Sequence, residues 1–539
     1  MLTASYGQAT IERRKSRMHL HRSAFIVGIL TLVSRVTGLL REVVHAAFLG
    51  TGMGADAFRV AFLLPNLLRR LVGEGAVSSA FVPVYTGYLH EKGGREERVF
   101  AEKFLTLWLV LVTLFTVVGI ALAGWIVSVA FDRGSFRTEA GKLELTVNLS
   151  RILFWYLLLI GGVAAVQGIL HARGVFGIAS FAPVAFNLVF VASAALLVPF
   201  IGQDRAPYAL AFAVLIGGVV QLLVLFPSLF ASGVRLRPRY PLDHPGVRQV
   251  MRLLVPGTIG AGVYQINVVV NTALAARLPE EGAVSSLGYS NRLMEFVLGI
   301  FVFALGTVSL TELSRQFVAR NLPAFHRTLD EVLRLCVFIS IPSTVGLYLL
   351  HRPIISLLFE NGQFGRESLE LTAMAFRYHV LGLTFVGCNR LLVVAFHAQK
   401  DLKTPVIQAA GNMVLNVLLA YGLSEGPLGH AGVALAASLA APCLTVPLLV
   451  ILLRRMPGLP LRGLLVTCIK TLVASGVMGV VCFYGMEWAG TATTQTKVIQ
   501  ATIVATLIGA GAATFFATAW VLRLDEVRVL FSILKRRRG

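Results

Sequence analysis

Fourteen mostly apolar stretches, most of them about twenty residues or longer, run along this chain. They lie at 24–49, 56–88, 104–131, 147–171, 178–200, 207–231, 249–276, 285–312, 328–350, 369–397, 404–423, 429–453, 463–486 and 498–522. A helix rises ~1.5 Å per residue and the hydrocarbon core of a bilayer is ~30 Å thick, so such stretches are long enough to cross it. The first, second and eighth contain charges and are the weakest of the set. The connections are short and leave no room for a soluble catalytic domain. The pattern predicts an all-α polytopic membrane protein with 14 transmembrane helices. Composition points the same way: 56% of the 539 residues are hydrophobic and 14% are charged, whereas soluble domains carry about 25% charged residues.

The formal net charge is +21, from 48 Lys+Arg against 27 Asp+Glu. An even number of spans puts both ends on one side, and basic loops mark the cytoplasmic side. The N-terminus (Arg13, Arg14, Lys15, Arg17, Arg22), alternate loops and the tail (Arg523, Arg528, Lys535, Arg536, Arg537, Arg538) hold 29 basic residues, counting Arg252 at the edge of the seventh stretch, against 8 in the opposite loops. Both termini are therefore expected in the cytoplasm, and nucleic acid is not needed to explain the charge. Met1 to Arg22 precedes an apolar run as a signal peptide would, but that run continues for a full span through Arg35 and Arg41 and reads as an uncleaved first helix. All five cysteines fall inside spans with no CxxC pair, as packing residues do. No GxxxxGK[ST] loop is present, so direct ATP use is not indicated.

The spans repeat. Ala209-Leu210-Ala211 and Ala434-Leu435-Ala436 open the sixth and twelfth, 225 residues apart; His171-Ala172 and His397-Ala398 close the fourth and tenth, 226 apart; Pro183-Val184 and Pro405-Val406 open the fifth and eleventh, 222 apart. Six helices per repeat keep the same orientation, which predicts two pseudo-repeated six-helix lobes plus two C-terminal helices, an architecture common among transporters with a substrate site between halves. The expected divisions are a basic N-terminus at 1–22, an N-lobe at 23–232, a C-lobe at 249–454, the last two helices at 462–523 and a basic tail at 524–539.

Arg35, Arg41, Arg69, Arg70, Arg292 and Arg390 lie inside spans. A central arginine costs roughly 2.5–3.5 kcal/mol on insertion scales, so these side chains are expected to line a hydrated cavity or meet acids. Acids are available in Glu42, Asp56, Glu74 and Glu295. Arg35, Gly38, Glu42 and His45 share one face of the first helix by their 3-4-3 spacing. Asp56, Arg59, Asn66, Arg70 and Glu74 fall within about 80° on the second at 100° per residue, where Pro65, Gly73 and Gly75 interrupt the helix. Arginines outnumber nearby acids, and guanidinium forks grip phosphate or carboxylate; a cationic cavity for an anionic substrate is the sharper reading and structural ion pairs the plainer one. His45 and His379 are candidate proton relays. Asn267, Asn271, Asn389 and Thr404 are candidate sodium oxygens, with ordinary interhelical contacts as the alternative. Pro353 to Phe364 reads as an amphipathic element at the outer interface or a packed loop.

Ser34-Arg35-Val36-Thr37-Gly38 with Arg41-Glu42, Ala55-Asp56-Ala57-Phe58, Leu64-Pro65-Asn66-Leu67-Leu68-Arg69-Arg70, Glu74-Gly75-Ala76 and Ala80-Phe81-Val82-Pro83 resemble the MurJ (MviN) lipid II flippases of the multidrug/oligosaccharidyl-lipid/polysaccharide exporter superfamily. Asn291-Arg292-Leu293-Met294-Glu295-Phe296 and the Lys400 to Pro405 segment extend the match over nearly the whole chain. The resemblance implies a transporter, not an enzyme, that moves undecaprenyl-diphosphate-linked disaccharide pentapeptide from the inner to the outer leaflet of the bacterial cytoplasmic membrane for peptidoglycan synthesis. It implies that Arg41, Arg69 and Arg292 hold the diphosphate, that Arg35, Glu42, Asp56 and Glu74 share the cavity, and that the last two helices receive the lipid tail. Helical phase favours Arg70 where the resemblance favours Arg69, so both stand as substrate-binding candidates. Position 42 is Glu where the family often has Asp, Leu63 stands where a basic residue is frequent, and Asn291 replaces a frequent Asp. No cofactor or resident metal is implied; the coupling ion is open among membrane potential, proton and sodium. Partners are lipid II and membrane lipids, with cell-wall synthesis proteins as candidates, no nucleic acid, and a monomeric state. The alternative is an exporter of another undecaprenyl-linked glycan or of drugs; a polyprenyl-phosphate enzyme would show acidic or His clusters in long loops.

Overall fold

Every regular element among the residues described, 2–71, 78–490 and 496–529 of a computed structural model, is a helix. In chain order these are α1 (Leu2–Leu49), α2 (Met53–Leu68), α3 (Ser78–Glu91), α4 (Gly94–Phe131), α5 (Ser135–Thr138), α6 (Lys142–Ala172), α7 (Gly177–Ile201), α8 (Ala206–Leu223) and α9 (Phe226–Ala231). There follow α10 (Pro245–Ala276), α11 (Ala283–Val318), α12 (Leu322–Leu349), α13 (His351–Phe359), α14 (Arg366–His379), α15 (Leu383–Ala398), α16 (Lys403–Ser424), α17 (His430–Arg455), α18 (Leu461–Ala489) and α19 (Lys497–Val521). Among the described residues ten spans are long and apolar enough to cross a membrane, or eleven with the bent pair Ala283–Val302 and Leu305–Val318. The molecule is a multi-span membrane protein. Among the described residues, the first, second and seventh expected spans are not among those ten.

The chain divides into two compact units. The first comprises Met1–Phe48, Ala57–Asp132 and Ala140–Gln265; the second comprises Leu49–Asp56, Arg133–Glu139 and Ile266–Gly539. The cut differs from the one expected between 232 and 249, and two short segments of the N-terminal half belong to the second unit.

Within the first unit, close helix packing depends on small residues, as in other membrane bundles. A Cβ on Gly119 of α4 would stand 2.2 Å from the Phe154 ring of α6. The Trp108 indole N–H donates to the Gly161 carbonyl at 2.9 Å across the same pair. Phe81, Tyr85, Phe100 and Phe104 stack between α3 and α4, with Phe81 and Phe104 centroids 4.1 Å apart. In the second unit, Leu298, Val302, Leu333, Cys336, Leu391 and Leu448 form one core. α18 and α19 join this unit by packing Ala474, Met478, Cys482, Phe515 and Ala519 against Phe338 of α12.

Several sequence features find their local cause. The paired His-Ala dipeptides end α6 and α15, and the paired Pro-Val dipeptides lie in α7 and α16. The Pro353 to Phe364 stretch begins inside a nine-residue helix, α13, that buries Pro353, Ile355, Ser356 and Phe359. The tenth span is interrupted by a 3₁₀ turn at Val380–Gly382, where Ser438 Oγ accepts the Gly382 N–H at 3.0 Å and contacts the Tyr378 carbonyl at 2.7 Å.

The Lys400 to Pro405 motif is a helix-to-helix corner. Lys400 takes the left-handed φ of +62° that closes α15. The Asp401 carboxylate accepts N–H groups of Lys403 and Thr404 at 3.0 Å and the Thr404 hydroxyl at 2.6 Å, and pairs with Arg455. Partial burial works to raise the Asp401 pKa, but the bonds from Thr404, Arg455 and Lys403 outweigh it and hold the carboxyl well below the usual carboxylate range. A depressed folded pKa contributes stability above the unfolded value of 3.8, lost as pH falls through the folded one. Asp401→Asn is expected to cost ~1 kcal/mol at pH 7, the size of a lost cap, and thermal melts of the two proteins should converge as pH drops below that of free aspartate.

Candidate functional site

Glu42 is the meeting point of the first two helices. Its Oε1 lies 3.2 Å from Arg41 Nη2 on α1, and its Oε2 accepts Arg59 Nη2 of α2 at 3.1 Å. All three side chains are mostly buried, so the ion pairs act in a medium less polarizable than water. The Arg41 guanidinium also sits 5.6 Å from the Phe186 ring centroid of α7. One turn earlier, Asn187 Nδ2 of α7 donates to the Ser34 carbonyl at 3.2 Å and to Thr37 Oγ1 at 3.3 Å, fixing the turn that carries half-buried Arg35.

Further along α2, Pro65 is buried inside the helix and Arg69 Nε donates to Asn66 Oδ1 at 2.9 Å. At 69–71 the helix widens into a π turn. A wide turn advances each residue by less than the α-helical step, so ideal α phase no longer says which of Arg69 and Arg70 shares a face with Arg59. Both are half-buried, and Arg70 Nε is buried without a hydrogen bond among the described residues. Glu74 lies outside the described residues.

Asp56 sits against the start of α11. The side chain is 0% exposed and belongs to the second unit, where Oδ1 accepts the Ser285 N–H at 2.8 Å and Oδ2 the Gly282 N–H at 3.0 Å. It caps α11, whose own N-cap residue is a glycine with no side-chain oxygen to offer. The surrounding turn is bonded to the same unit: Tyr289 OH donates to the Gly50 carbonyl at 2.9 Å, Ser285 Oγ to the Thr51 carbonyl at 3.1 Å, and Thr51 and Ser368 hydroxyls are 2.8 Å apart. Gly282 has φ +83° and stands where a Cβ would come within 2.5 Å of the Thr51 carbonyl oxygen, so only glycine fits. Asp56 is thus a positioning residue for α11, the helix that carries Arg292. Arg292 Nη1 lies 3.8 Å from Glu295 Oε2 one turn on, with its side chain 37% exposed.

A family model described as "Lipid II flippase MurJ" matches residues 45–503. The chain belongs to the MurJ family. A MurJ lipid II flippase of Burkholderia cenocepacia is 34% identical over 94% of this chain and 98% of its own length. A probable MurJ lipid II flippase of Vibrio cholerae is 37% identical over 80% of this chain and 82% of its own. A solved structure of a MurJ lipid II flippase in an inward closed conformation superposes with a TM-score of 0.77 at 25% identity, covering 93% of this chain and 99% of that one. An inward-facing multidrug MATE transporter of the MOP superfamily shares the fold at a TM-score of 0.66 and 15% identity.

In this MurJ-family chain, residue patterns placed Arg59 on the polar stripe of α2 without singling it out, although it shares Glu42 with Arg41. The signal was available: Glu42 and Arg59 each lie on the polar face of its own helix. Thr404 is spent on Asp401, while Asn416 Nδ2 of α16 donates to Asn267 Oδ1 at 3.2 Å and Asn271 Oδ1 at 3.0 Å of α10. Lys470 Nζ donates to the Leu522 carbonyl at 2.8 Å, and Arg390 is exposed. His379 Nδ1 lies 2.5 Å from Ser290 Oγ.

Proposed function

We propose that this chain flips lipid II, the undecaprenyl-diphosphate-linked disaccharide pentapeptide, from the inner to the outer leaflet of the bacterial cytoplasmic membrane, feeding peptidoglycan synthesis. Membership of the MurJ family over most of the chain carries the reading. The arginines on α1 and α2 support it, because a diphosphate is an anion that guanidinium forks hold bidentately. In this reading Arg41, Arg69 and Arg292 bind the diphosphate, Arg35, Glu42, Arg59 and Arg70 set the surrounding charge, and Asp56 holds α11 in place.

The chain works as a transporter, with fourteen spans made of two six-helix repeats and two further helices, and with both termini cytoplasmic. α18 and α19 receive the polyprenyl tail. Transport proceeds by alternating access in a monomer, drawing on the membrane potential or a proton or sodium gradient, and delivers its product to cell-wall synthesis proteins.

Expression of the intact chain in cells depleted of their own flippase should restore growth and make lipid II accessible at the outer leaflet. A chain that accumulates in the membrane yet restores neither overturns the proposal.

A further inference from the structure

α19 ends at Val521, and the chain turns through Arg523 at a left-handed φ of +53°. The turn is closed by the N–H groups of Arg523 and Leu524 on the carbonyls of Trp520 and Ala519. Glycine ordinarily fills the left-handed position of such a helix end, and a side chain there strains the backbone. Beside the turn lies a cavity of about 270 Å³ lined by Trp520, Val521, Arg523, Leu524 and Arg528.

Charges in this segment are sorted by direction. Glu526 is 3% exposed, and its Oε1 accepts Arg334 Nε at 2.6 Å and Thr467 Oγ1 at 2.8 Å. Asp525 also reaches Arg334, at 3.7 Å. Leu524 and Val527 are buried in the core that holds Phe338, Met478 and Phe515. Both acids are thus drawn to α12, whereas Arg523 and Arg528 line the cavity and have no ion-pair partner among the described residues. A cation after the last turn favours a helix dipole, but the Lys470 ammonium already serves the end of α19 through the Leu522 carbonyl. The dipole therefore does not require an arginine at the strained position.

Trp520 and Val521 are 63% and 75% exposed, an aromatic and apolar rim suited to the membrane interface. An aromatic rim around two cations matches a ligand with a phosphate at one end and acyl chains at the other. We propose that this cavity binds the headgroup of an anionic membrane phospholipid, with Arg523 and Arg528 on the phosphate and Trp520 against the glycerol and upper acyl region. The site stands independently of the lipid II reading. Polyprenyl phosphates carry the same phosphate chemistry, so the test separates the two sources.

The full chain, purified in detergent, is titrated with phosphatidylglycerol, phosphatidylcholine or undecaprenyl phosphate, and the first bound lipid is counted by native mass spectrometry. Phosphatidylglycerol is expected to bind in preference to the other two. A basic residue at a membrane surface is worth about fivefold in affinity, so Arg523→Gly with Arg528→Gln should weaken phosphatidylglycerol roughly twentyfold and leave phosphatidylcholine unchanged. Arg523→Gly alone should weaken it about fivefold while keeping or raising the melting temperature, because the left-handed strain is relieved; this variant reads the ligand apart from the fold. Phosphatidylglycerol binding within about twofold of wild type in the double variant overturns the site. So does a wild-type preference for undecaprenyl phosphate that the double variant loses.

Discussion

Arg41→Ala is expected to abolish growth of cells depleted of their own flippase while the protein still accumulates in the membrane. The fold should tolerate the change, because Glu42 keeps its 3.1 Å bond to Arg59. Binding should not: a hydrogen bond to a charged group contributes ~1.5–3 kcal/mol, and a bidentate grip makes two of them. Losing both weakens a diphosphate by a factor on the order of a hundred or more. Arg69→Ala and Arg292→Ala carry the same expectation from α2 and α11. Arg69 gives up a 2.9 Å bond to Asn66 and Arg292 a 3.8 Å approach to Glu295, both local to their own helix. Arg41→Lys separates charge from shape, since a lysine keeps the charge without the planar fork and should rescue weakly. The checks are growth, membrane abundance and outer-leaflet accessibility of lipid II. Full rescue by all three alanine variants would sink the proposed site.

What the residues disclosed in advance follows from how membranes constrain sequence. A span must be apolar over its length, so the fourth and fifth stretches, 147–171 and 178–200, coincide with the cores of α6 and α7. An arginine in such a stretch stands out against its neighbours, which is why Arg41 and Arg69 were visible as candidates. Phase along a single helix proved less durable. The π turn at 69–71 changes the angular step at the two arginines whose faces had to be told apart, and no residue pattern announces it. Sequence periodicity makes Asp56 one more acid on a polar stripe, because it assigns a face and says nothing about a partner. Its partners are N–H groups 226 and 229 residues away, on a helix that lacks a capping side chain of its own.

That long-range cap carries the second large effect. Asp56→Ala removes both acceptors of the Gly282 and Ser285 N–H groups in a site that is 0% exposed, so no water restores them. Each lost charge-assisted bond costs ~1.5–3 kcal/mol, and the positive end of the α11 dipole loses its countercharge as well. A total of about 3–6 kcal/mol is expected, read as a fall of several degrees in the melting temperature of the detergent-purified protein and as loss of growth support. The consequence for transport runs through α11, since a loosened N-terminus displaces the helix on which Arg292 stands. Asp56→Asn sharpens the test: the amide keeps one acceptor oxygen, so it should retain more of the melting temperature than alanine does. A purely electrostatic part in binding substrate predicts the reverse pattern, with stability untouched and both variants equally inactive. An Asp56→Ala protein that melts with wild type would therefore remove the cap from the account of how this helix is held.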